Sequence, residues 1–181
     1  MKYREYTVTL EIVERLLGSS PADPQTYRDY VANDPRDPGK DAGSPEREAE
    51  ELAALPEESE KGVTVFPRDP EGRLHLWDYQ VKGNLKESGN ILKEQLGIKN
   101  LRDKLDNYVY VAPRRLLLLR DGKPLTEPDG IFSRPLRAMT MQGPRVSIAR
   151  SEYVEPPLTL EFRIRLLEHK EINAQTLQEI L

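Results

Sequence analysis

The sequence predicts an α+β fold, and three observations support that class. First, residues 3–13 and 158–166 alternate apolar and polar side chains with the period of two that half-buried strands show. Second, segments of helix-forming residues lie between and after the predicted strands. Third, residues 21–62 are rich in proline and acidic residues and interrupt this order. The pattern predicts a ferredoxin-like or RRM-like antiparallel sheet with helices packed on one face and a loop-rich acidic insertion.

The composition is that of one domain rich in loops. The 181 residues suffice for a buried core, so we expect a single domain over residues 1–181. Only 37% of the residues are hydrophobic and 15 are proline, which favours a large share of loop. The chain has no cysteine, which excludes disulfides and thiolate chemistry. It contains no apolar run of membrane-spanning length and no secretory signal, so we expect a soluble, cytoplasmic protein without membrane contacts.

Charge is distributed unevenly along the chain. Residues 21–62 hold 12 acidic against five basic residues, whereas residues 131–151 hold four arginines and no acid. Asp-Pro pairs predict turns in the acidic insertion, and Ser44-Pro45 predicts the start of one short helix from Glu46 to Leu55. The insertion is interpreted as a solubilising surface loop, or alternatively as a mimic of nucleic acid that covers a basic surface.

The remaining elements follow from periodicity and turn residues. Residues 74–81 predict a strand, which turns through Lys82-Gly83 into a helix that ends at Gly97. The other predicted elements are short strands at 63–66, 108–112 and 116–119, a helical turn within 98–107, a β-hairpin of residues 132–141 and 145–151, the strand 158–166, and a last helix capped by Asn173.

The helix that ends at Gly97 combines an apolar side with a basic edge. Asn84 is the predicted N-cap, with Glu87 as its capping-box partner, and Gly97 fits the left-handed C′ position. The apolar arc contains Val81, Leu85, Leu92 and Leu96. The adjacent basic arc, with Gly89 at the seam, contains Lys82, Lys86 and Lys93. Lysines beside a helix start and a glycine are typical of a phosphate site, and the solvated edge of an ordinary core helix is the alternative.

Further basic and aromatic residues are candidates for binding nucleic acid. The basic candidates are Arg114 and Arg115 and the arginines of the predicted hairpin, Arg134, Arg137, Arg145 and Arg150. The aromatic candidates are Trp77, Tyr79, Tyr108 and Tyr110. Single-stranded nucleic acid needs cations for its backbone and rings on which its bases stack. The alternative is that these aromatic side chains belong to the core.

Candidates for catalysis are scarce. The two histidines, His75 and His169, do not belong to a cluster with metal-ligand spacing, and the sequence has no phosphate-loop, dinucleotide or nucleophile-elbow motif. We therefore expect no enzymatic activity, no metal and no cofactor. A nuclease that uses Asp34 or Asp37 is the catalytic alternative.

Four short features occur in a recognisable order. They are a first strand ending in Gly18-Ser19-Ser20, the segment Val81-Lys82-Gly83-Asn84-Leu85-Lys86, the segment Arg134-Pro135-Leu136-Arg137, and Ser151-Glu152-Tyr153-Val154 before the strand 158–166. Over residues 3–20 and 63–181 this order resembles RAMP-superfamily proteins, the ferredoxin-like backbone subunits of CRISPR effector complexes, and related phage and prophage proteins. RAMP proteins usually carry a glycine-rich loop after the last helix, which the sequence up to Leu181 does not contain.

These observations predict a non-catalytic, RAMP-like protein that binds RNA or single-stranded DNA through the lysines and arginines named above. The resemblance implies a phage or mobile-element origin, a role in or against a CRISPR-type complex, and CRISPR-type effector subunits as protein partners. One alternative is a protein-interaction module that inhibits a defence complex through its acidic segment. The other is a structural or assembly component of a phage particle, which predicts a homo-oligomer.

Overall fold

The chain has an α+β structure. The computed structural model describes residues 2–23, 25, 45–56, 62–140 and 143–181. The helices are α1 (Pro45–Ala53), α2 (Asp78–Leu92), α3 (Leu101–Tyr108) and α4 (Ala174–Ile180). The strands are β1 (Tyr3–Ile12), β2 (Leu16–Leu17), β3 (Ser20–Pro21), β4 (Val63–Val65), β5 (His75–Trp77), β6 (Val109–Ala112), β7 (Arg115–Arg120), β8 (Lys123–Pro124), β9 (Gly130–Thr140), β10 (Gly143–Val154) and β11 (Leu158–Leu167). The predicted α+β class is confirmed, while most of the predicted insertion, including Asp34 and Asp37, lies outside the described residues.

The described residues form two compact units. The first unit comprises the described residues of Met1–Glu11, Leu76–Leu117 and Thr159–Leu181, and the second those of Ile12–His75 and Leu118–Leu158. One sheet has the strand order β1-β11-β7-β5, and β6 also pairs with β11. The other has the order β2-β10-β4-β3, in which β10 pairs antiparallel with β2 and β9 and parallel with β4. That residues 1–181 form one domain stays a prediction.

Strand β11 shows the alternation that the sequence predicts. Its buried side chains in the first unit are Leu160, Phe162, Ile164 and Leu166. Arg163 and Arg165 lie between them and are exposed, because successive residues of a strand point to opposite faces. Strand β6 pairs antiparallel with β11 and places Tyr110 opposite Arg165 and Ala112 opposite Arg163. Cross-strand partners share a face, so Tyr110 lies on the exposed face of the sheet beside Arg165.

Helix α2 begins earlier than the sequence predicts. Its N-cap is Trp77, whose backbone N–H donates to the side-chain oxygen of Gln80 at 2.8 Å. The predicted N-cap at Asn84 and the predicted turn at Lys82-Gly83 are wrong, because all three residues lie inside the helix. Trp77 is only 2% exposed. Burial of this large ring favours a helix start at Asp78 more strongly than an asparagine cap at Asn84 favours a later start.

Helix α2 packs on α3 at Gly89. A Cβ atom at Gly89 would lie 2.3 Å from Leu105 Cδ1 and 3.3 Å from Leu101 Cγ, so the absence of a side chain permits this close approach. Because Gly89 is buried, its predicted position at the edge of a phosphate site is wrong. In the predicted apolar arc, Val81 and Leu85 are buried, and Leu92 and Leu96 are half-buried. Gly97 has the predicted left-handed φ of 66°, but the predicted helix end there is wrong, because α2 ends at Leu92.

The hairpin of the second unit is confirmed and is longer than predicted. Strands β9 and β10 pair antiparallel without interruption from Gly143 opposite Thr140 to Tyr153 opposite Gly130. Residues 141 and 142 lie outside the described residues. Helix α1 lies within the predicted segment from Glu46 to Leu55 apart from its first residue, Pro45, so that helix is also confirmed.

Buried Glu152 connects β10 to the segment that follows β4. The backbone N–H of Phe66 donates to Glu152 Oε2 at 2.9 Å, and Arg68 Nη2 donates to Oε1 at 2.9 Å. The backbone N–H of Gly18 donates to the backbone oxygen of Glu152 at 2.8 Å. A buried carboxylate needs such charged and hydrogen-bonding partners. These contacts therefore hold the C-terminal end of β10 in place within the second unit.

Asp129 makes the second unit sensitive to acid. Arg120 donates to its two carboxylate oxygens at 3.1 and 2.7 Å, and the backbone N–H of Glu155 donates at 2.7 Å. The hydrogen bonds from Arg120 and Glu155 favour the charged carboxylate and hold the pKa of Asp129 below its ordinary value. The unfolded chain has an Asp pKa of about 3.9. The stabilisation is therefore fully present above about pH 4 and is lost as the pH falls through the lower folded-state pKa.

We expect the free energy of unfolding of Asp129→Asn to depend less on pH in the acid range than that of the wild type. The variant lacks the titrating carboxyl, so its free energy of unfolding should start lower at neutral pH and fall less between about pH 4 and pH 2 than that of the wild type. Urea unfolding at a series of pH values measures both curves. Asp121→Asn, in the exposed turn before β8, is the control and should follow the wild type. Parallel curves for Asp129→Asn and the wild type would contradict the assignment.

Candidate nucleic-acid interface

Two of the three predicted lysines are held by one carboxylate. Lys82 Nζ lies 2.7 Å from the backbone oxygen of Asp106 and 3.4 Å from its Oδ1, and Lys86 Nζ lies 3.1 Å from Oδ1. Burial by itself raises the pKa of Asp106, but the hydrogen bonds and charges of Lys86 and Lys82 outweigh it, and the pKa lies below its ordinary value. Lys82 and Lys86 therefore connect α2 to α3, while Lys93 is exposed, 3.4 Å from Asn90 Oδ1.

Arg114 and Arg115 are half-buried in the first unit. Arg114 Cζ lies 4.8 Å from the centroid of the Trp77 ring, and its Nη1 lies 3.4 Å from Asp78 Oδ1. The backbone N–H of Asp78 donates to the backbone oxygen of Arg114 at 2.9 Å. The cation–π contact and the ion pair thus place Arg114 against the first turn of α2, where it stabilises the helix start.

The arginines of the predicted hairpin lie in the second unit. Arg134 and Arg137 are exposed and Arg150 is half-buried. In the β9–β10 register, Arg137 and Arg150 belong to one face and Arg134 to the opposite face. The backbone of Arg145 pairs with that of Ala138, and its side chain lies outside the described part of the chain. The three arginines with described side chains therefore do not form one continuous basic face.

The exposed face of the first unit's sheet brings aromatic and basic side chains together. Arg165 Cζ lies 5.8 Å from the centroid of the Tyr3 ring, and Tyr3 is 55% exposed. Arg165 Nε donates to Glu5 Oε2 at 2.7 Å, and Arg163 Nη1 donates to Glu5 Oε1 at 3.3 Å. Glu5 therefore holds two guanidinium groups on the surface of the sheet, beside an exposed ring.

Tyr110 continues this surface on the other side of β11. It lies opposite Arg165 in the register of β6 and is 47% exposed. Lys82 Nζ lies 5.0 Å from the centroid of the Tyr110 ring, and the Tyr110 hydroxyl donates to the backbone oxygen of Asn107 at 3.2 Å. Since β1 and β6 flank β11, the two tyrosines stand on strands about 10 Å apart. We define the tyrosine–arginine face as Tyr3, Lys82, Tyr110, Arg163 and Arg165.

The tyrosine–arginine face carries charges of both signs, because its three cations lie beside the carboxylates of Glu5 and Asp106. The hydrogen bond from Arg165 is the main cause that holds the pKa of Glu5 below its ordinary value, with a further contribution from Arg163, against a partial opposing effect of burial. The same bond raises the pKa of Arg165. Glu5 is thus ionised at neutral pH, and the exposed carboxylate of Glu161 lies two residues before Arg163. Because exposed ion pairs contribute little free energy, a phosphate can replace Glu5 as the partner of the guanidinium groups.

A pocket of about 350 Å³ lies elsewhere in the first unit, beside β1, the end of β11 and the segment before α4. His169 lines it, and its ring centroid lies 4.5 Å from that of Tyr108. His169 Nδ1 accepts from the backbone N–H of Glu171 at 3.1 Å. Asn173 Oδ1 accepts from the backbone N–H of Thr176 at 3.0 Å, which confirms the predicted cap of the last helix. These contacts give His169 and Asn173 structural roles at this end of the sheet.

Comparisons with known proteins give no family for this chain. The sequence matches no protein-family model, and no curated protein matches it significantly. Among residues 2–23, 25, 45–56, 62–140 and 143–181, no helix is long and apolar enough to cross a membrane. The same described ranges contain no group of three histidine, aspartate or glutamate side chains that could hold a metal ion. Inference about function therefore rests on the geometry of the described residues.

Three residues of the tyrosine–arginine face were missed as site residues by sequence reasoning, namely Tyr3, Arg163 and Arg165. The alternation of β11 did place both arginines on the outward side, but an arginine on a wet strand face is common and carries no signal by itself. The usable signal is the combination of outward arginines on one strand with outward tyrosines on two other strands. That combination appears only once the strand order is known.

Proposed function

We propose that this chain is a non-catalytic protein that binds RNA or single-stranded DNA on the tyrosine–arginine face. The observation that carries the proposal is the arrangement of two exposed tyrosines on either side of an exposed pair of arginines. Proteins bind single-stranded nucleic acid with rings that stack on bases and with cations that follow the backbone. Tyr3 and Tyr110 supply the rings, and Arg163, Arg165 and Lys82 supply the cations.

The order of the side chains across the strands supports this binding mode. A nucleic-acid strand that crosses β1, β11 and β6 in turn meets Tyr3, then the guanidinium groups, then Tyr110. Guanidinium groups contact phosphate oxygens through two parallel hydrogen bonds, which fixes the backbone while the bases reach the rings. Lys82 Nζ lies 5.0 Å from the centroid of the Tyr110 ring and adds a positive charge beside that ring.

We further propose that the first unit uses its sheet as RRM-like and ferredoxin-like proteins do, with helices on the buried face and nucleic acid on the exposed face. The position of β1 at one end of the strand order brings Tyr3 beside Arg165. The resemblance to RAMP-superfamily proteins supports a cytoplasmic role in or against a CRISPR-type complex, for a protein encoded by a phage or mobile element. RNA is then the expected ligand in the cell.

Neutralising the arginine pair should weaken binding and reduce its dependence on salt. We expect R163Q/R165Q to bind labelled single-stranded RNA and DNA of about 20 nucleotides roughly tenfold more weakly than the wild type at low salt. Each single-strand phosphate contributes about 0.7 to the slope of log K against log salt, so the slope should become less negative by about 1.4. Fluorescence anisotropy over a salt series measures the affinity and the slope.

Two control variants test whether a loss of affinity comes from this face or from the change in net charge. R134Q/R137Q has the same change in net charge but removes exposed arginines of the second unit, and it should bind nearly as the wild type does. Glu5→Gln releases both guanidinium groups and should raise the affinity. Equal losses in both arginine double variants, no gain in Glu5→Gln, or no binding by the wild type at low salt would each overturn the proposal. Cleavage of the oligonucleotide in Mg²⁺ would support the nuclease alternative instead.

A further inference from the structure

The β9–β10 hairpin of the second unit exposes an apolar stripe. Its register is unbroken, so residues of one parity on each strand share a face. The exposed apolar residues of one face are Ile131, Pro135, Val146 and Ile148, and we define these four as the apolar ribbon face. Val146 is 63% exposed and Ile148 is 67% exposed. Ile148 lies directly opposite Pro135 and next to Val146 on this face, so these three residues form a continuous stripe, from which the Ser133–Arg150 pair separates Ile131.

An exposed stripe of this kind indicates contact with another molecule. Soluble proteins rarely expose contiguous apolar surface without a binding role, because removing that surface from water is favourable. Valine and isoleucine are suited to a pleated strand, but a strand exposed on that face has no need of apolar side chains there. Val146 lies opposite Arg137 in the register, so the stripe is bordered by an exposed cation.

The charge around the stripe selects the kind of partner. Residues 131–151 contain four arginines and no acidic residue, and Arg137 and Arg150 belong to the same face as the stripe. A second copy that docked by this face would bring further arginines and no carboxylate between residues 131 and 151, so like charges would meet. An acidic partner would instead pair with exposed Arg137 while it covers the apolar residues.

The apolar content favours a protein over nucleic acid at this face. Phosphate backbone would pair with the arginines but would leave Val146 and Ile148 in water, whereas protein interfaces combine an apolar centre with arginine. Pro135 has no backbone N–H, which weakens the addition of a further strand to the edge of β9. A partner is therefore expected to pack on the face of the ribbon and not to extend its sheet.

We propose that the apolar ribbon face docks an acidic, amphipathic segment of another protein. Apolar residues of that segment cover Val146 and Ile148, and its carboxylates pair with Arg137. This surface lies within the second unit and does not depend on nucleic-acid binding by the first unit. It supplies a described site for a protein-interaction function, which the sequence suggested only through the acidic insertion.

A peptide selection with matched variants tests this proposal. A library of random peptides displayed on phage is selected on the full chain and then counter-selected on V146T/I148T, which keeps β-branched side chains but removes apolar surface. We expect enriched peptides that combine apolar residues with net negative charge and that bind V146T/I148T and R137Q at least tenfold more weakly than the wild type. Leu136→Thr, an exposed position on the opposite ribbon face, is the control and should bind as the wild type does.

The outcomes that overturn the proposal are distinct. Enriched peptides without net negative charge, equal binding to V146T/I148T, or no enrichment over that variant would each contradict an acidic docking segment. Self-association of the wild type in sedimentation that is lost in V146T/I148T would assign the face to a second copy. Loss of oligonucleotide binding in V146T/I148T would assign it to nucleic acid. Thermal unfolding should give the same midpoint for all four chains, because substitutions at exposed positions change stability little.

Discussion

The variant Gly18→Ala is expected to lose about 3 kcal/mol or more of its free energy of unfolding. A Cβ atom at Gly18 would lie 2.5 Å from the carbonyl carbon of Val65, 2.9 Å from its Cα and 2.8 Å from the backbone nitrogen of Phe66. These are backbone atoms, which cannot rotate away as a flexible side chain can. Overpacking in well-packed regions costs about 1–3 kcal/mol and occasionally more, and a backbone clash belongs at the upper end.

The hydrogen bonds around Gly18 increase this cost. Its N–H donates to the backbone oxygen of Glu152, whose carboxylate accepts from the backbone N–H of Phe66. Any shift of the chain that relieves the clash with Val65 moves Gly18 or Phe66 and disturbs these bonds. A buried acceptor that loses its donor costs about 1–3 kcal/mol. The close approach and the hydrogen bonds therefore act on the same few atoms.

A second glycine of the chain serves as the matched control. Gly83 lies in the interior of α2, and a Cβ atom there would meet no heavy atom within 4 Å. Gly83→Ala should therefore raise the free energy of unfolding by about 0.5–1 kcal/mol through the higher helix propensity of alanine. Urea unfolding of both variants gives the comparison. If Gly18→Ala were as stable as the wild type, the close contact with Val65 would be refuted.

The strands that could be predicted from the sequence are those whose two faces differ. In strands β1 and β11 one face is buried or partly covered and the other is exposed to water. Apolar and polar residues therefore alternate along each strand, and the sequence shows this alternation. The sequence predicts the β9–β10 hairpin within a few residues because glycine and proline interrupt the strand pattern there, although Gly143 and Pro144 themselves lie in β10. Local physical chemistry determines these elements, so a local pattern reveals them.

The start of α2 could not be predicted in the same way. The sequence from Leu74 to Val81 is compatible with a strand, and Asn84 is a common cap residue. In the structure the chain becomes helical at Asp78, because Trp77 is buried and Arg114 packs on its ring. Arg114 follows Trp77 by almost forty residues, so the sequence pattern around Trp77 alone cannot indicate their contact. Tertiary packing here overrides local preference.

Which residues come together in the candidate site could not be predicted from local patterns either. The lysines on α2 share a helix face in the sequence, but two of them meet Asp106 on α3, a contact that no local pattern indicates. Tyr3 and Arg165 come together only because β1 and β11 are neighbours in the sheet, although they lie near opposite ends of the chain. Strand order is a non-local property, so residues on each strand could be assigned a face but not a partner.

Replacing both tyrosines of the tyrosine–arginine face with leucine is expected to weaken oligonucleotide binding by about 100-fold. One stack of a base on an aromatic ring contributes about 1–3 kcal/mol, and 1.4 kcal/mol corresponds to a tenfold change in affinity. Leucine keeps apolar bulk but has no π face for a base and no ring for the cations of Arg165 and Lys82. Because Tyr3 and Tyr110 are exposed, the Y3L/Y110L variant should unfold at nearly the wild-type temperature.

The salt series and a phenylalanine variant distinguish stacking from other effects of the tyrosines. Y3L/Y110L retains every cation, so its affinity should fall at all salt concentrations while the slope of log K against log salt stays at the wild-type value. Y3F/Y110F retains both rings and should keep most of the affinity, since the Tyr110 hydroxyl donates to the backbone oxygen of Asn107. Equal losses in the leucine and phenylalanine variants would point to hydroxyl contacts and against stacking. Wild-type affinity in Y3L/Y110L would mean that the bases do not lie on this face, even if Arg163 and Arg165 bind phosphate.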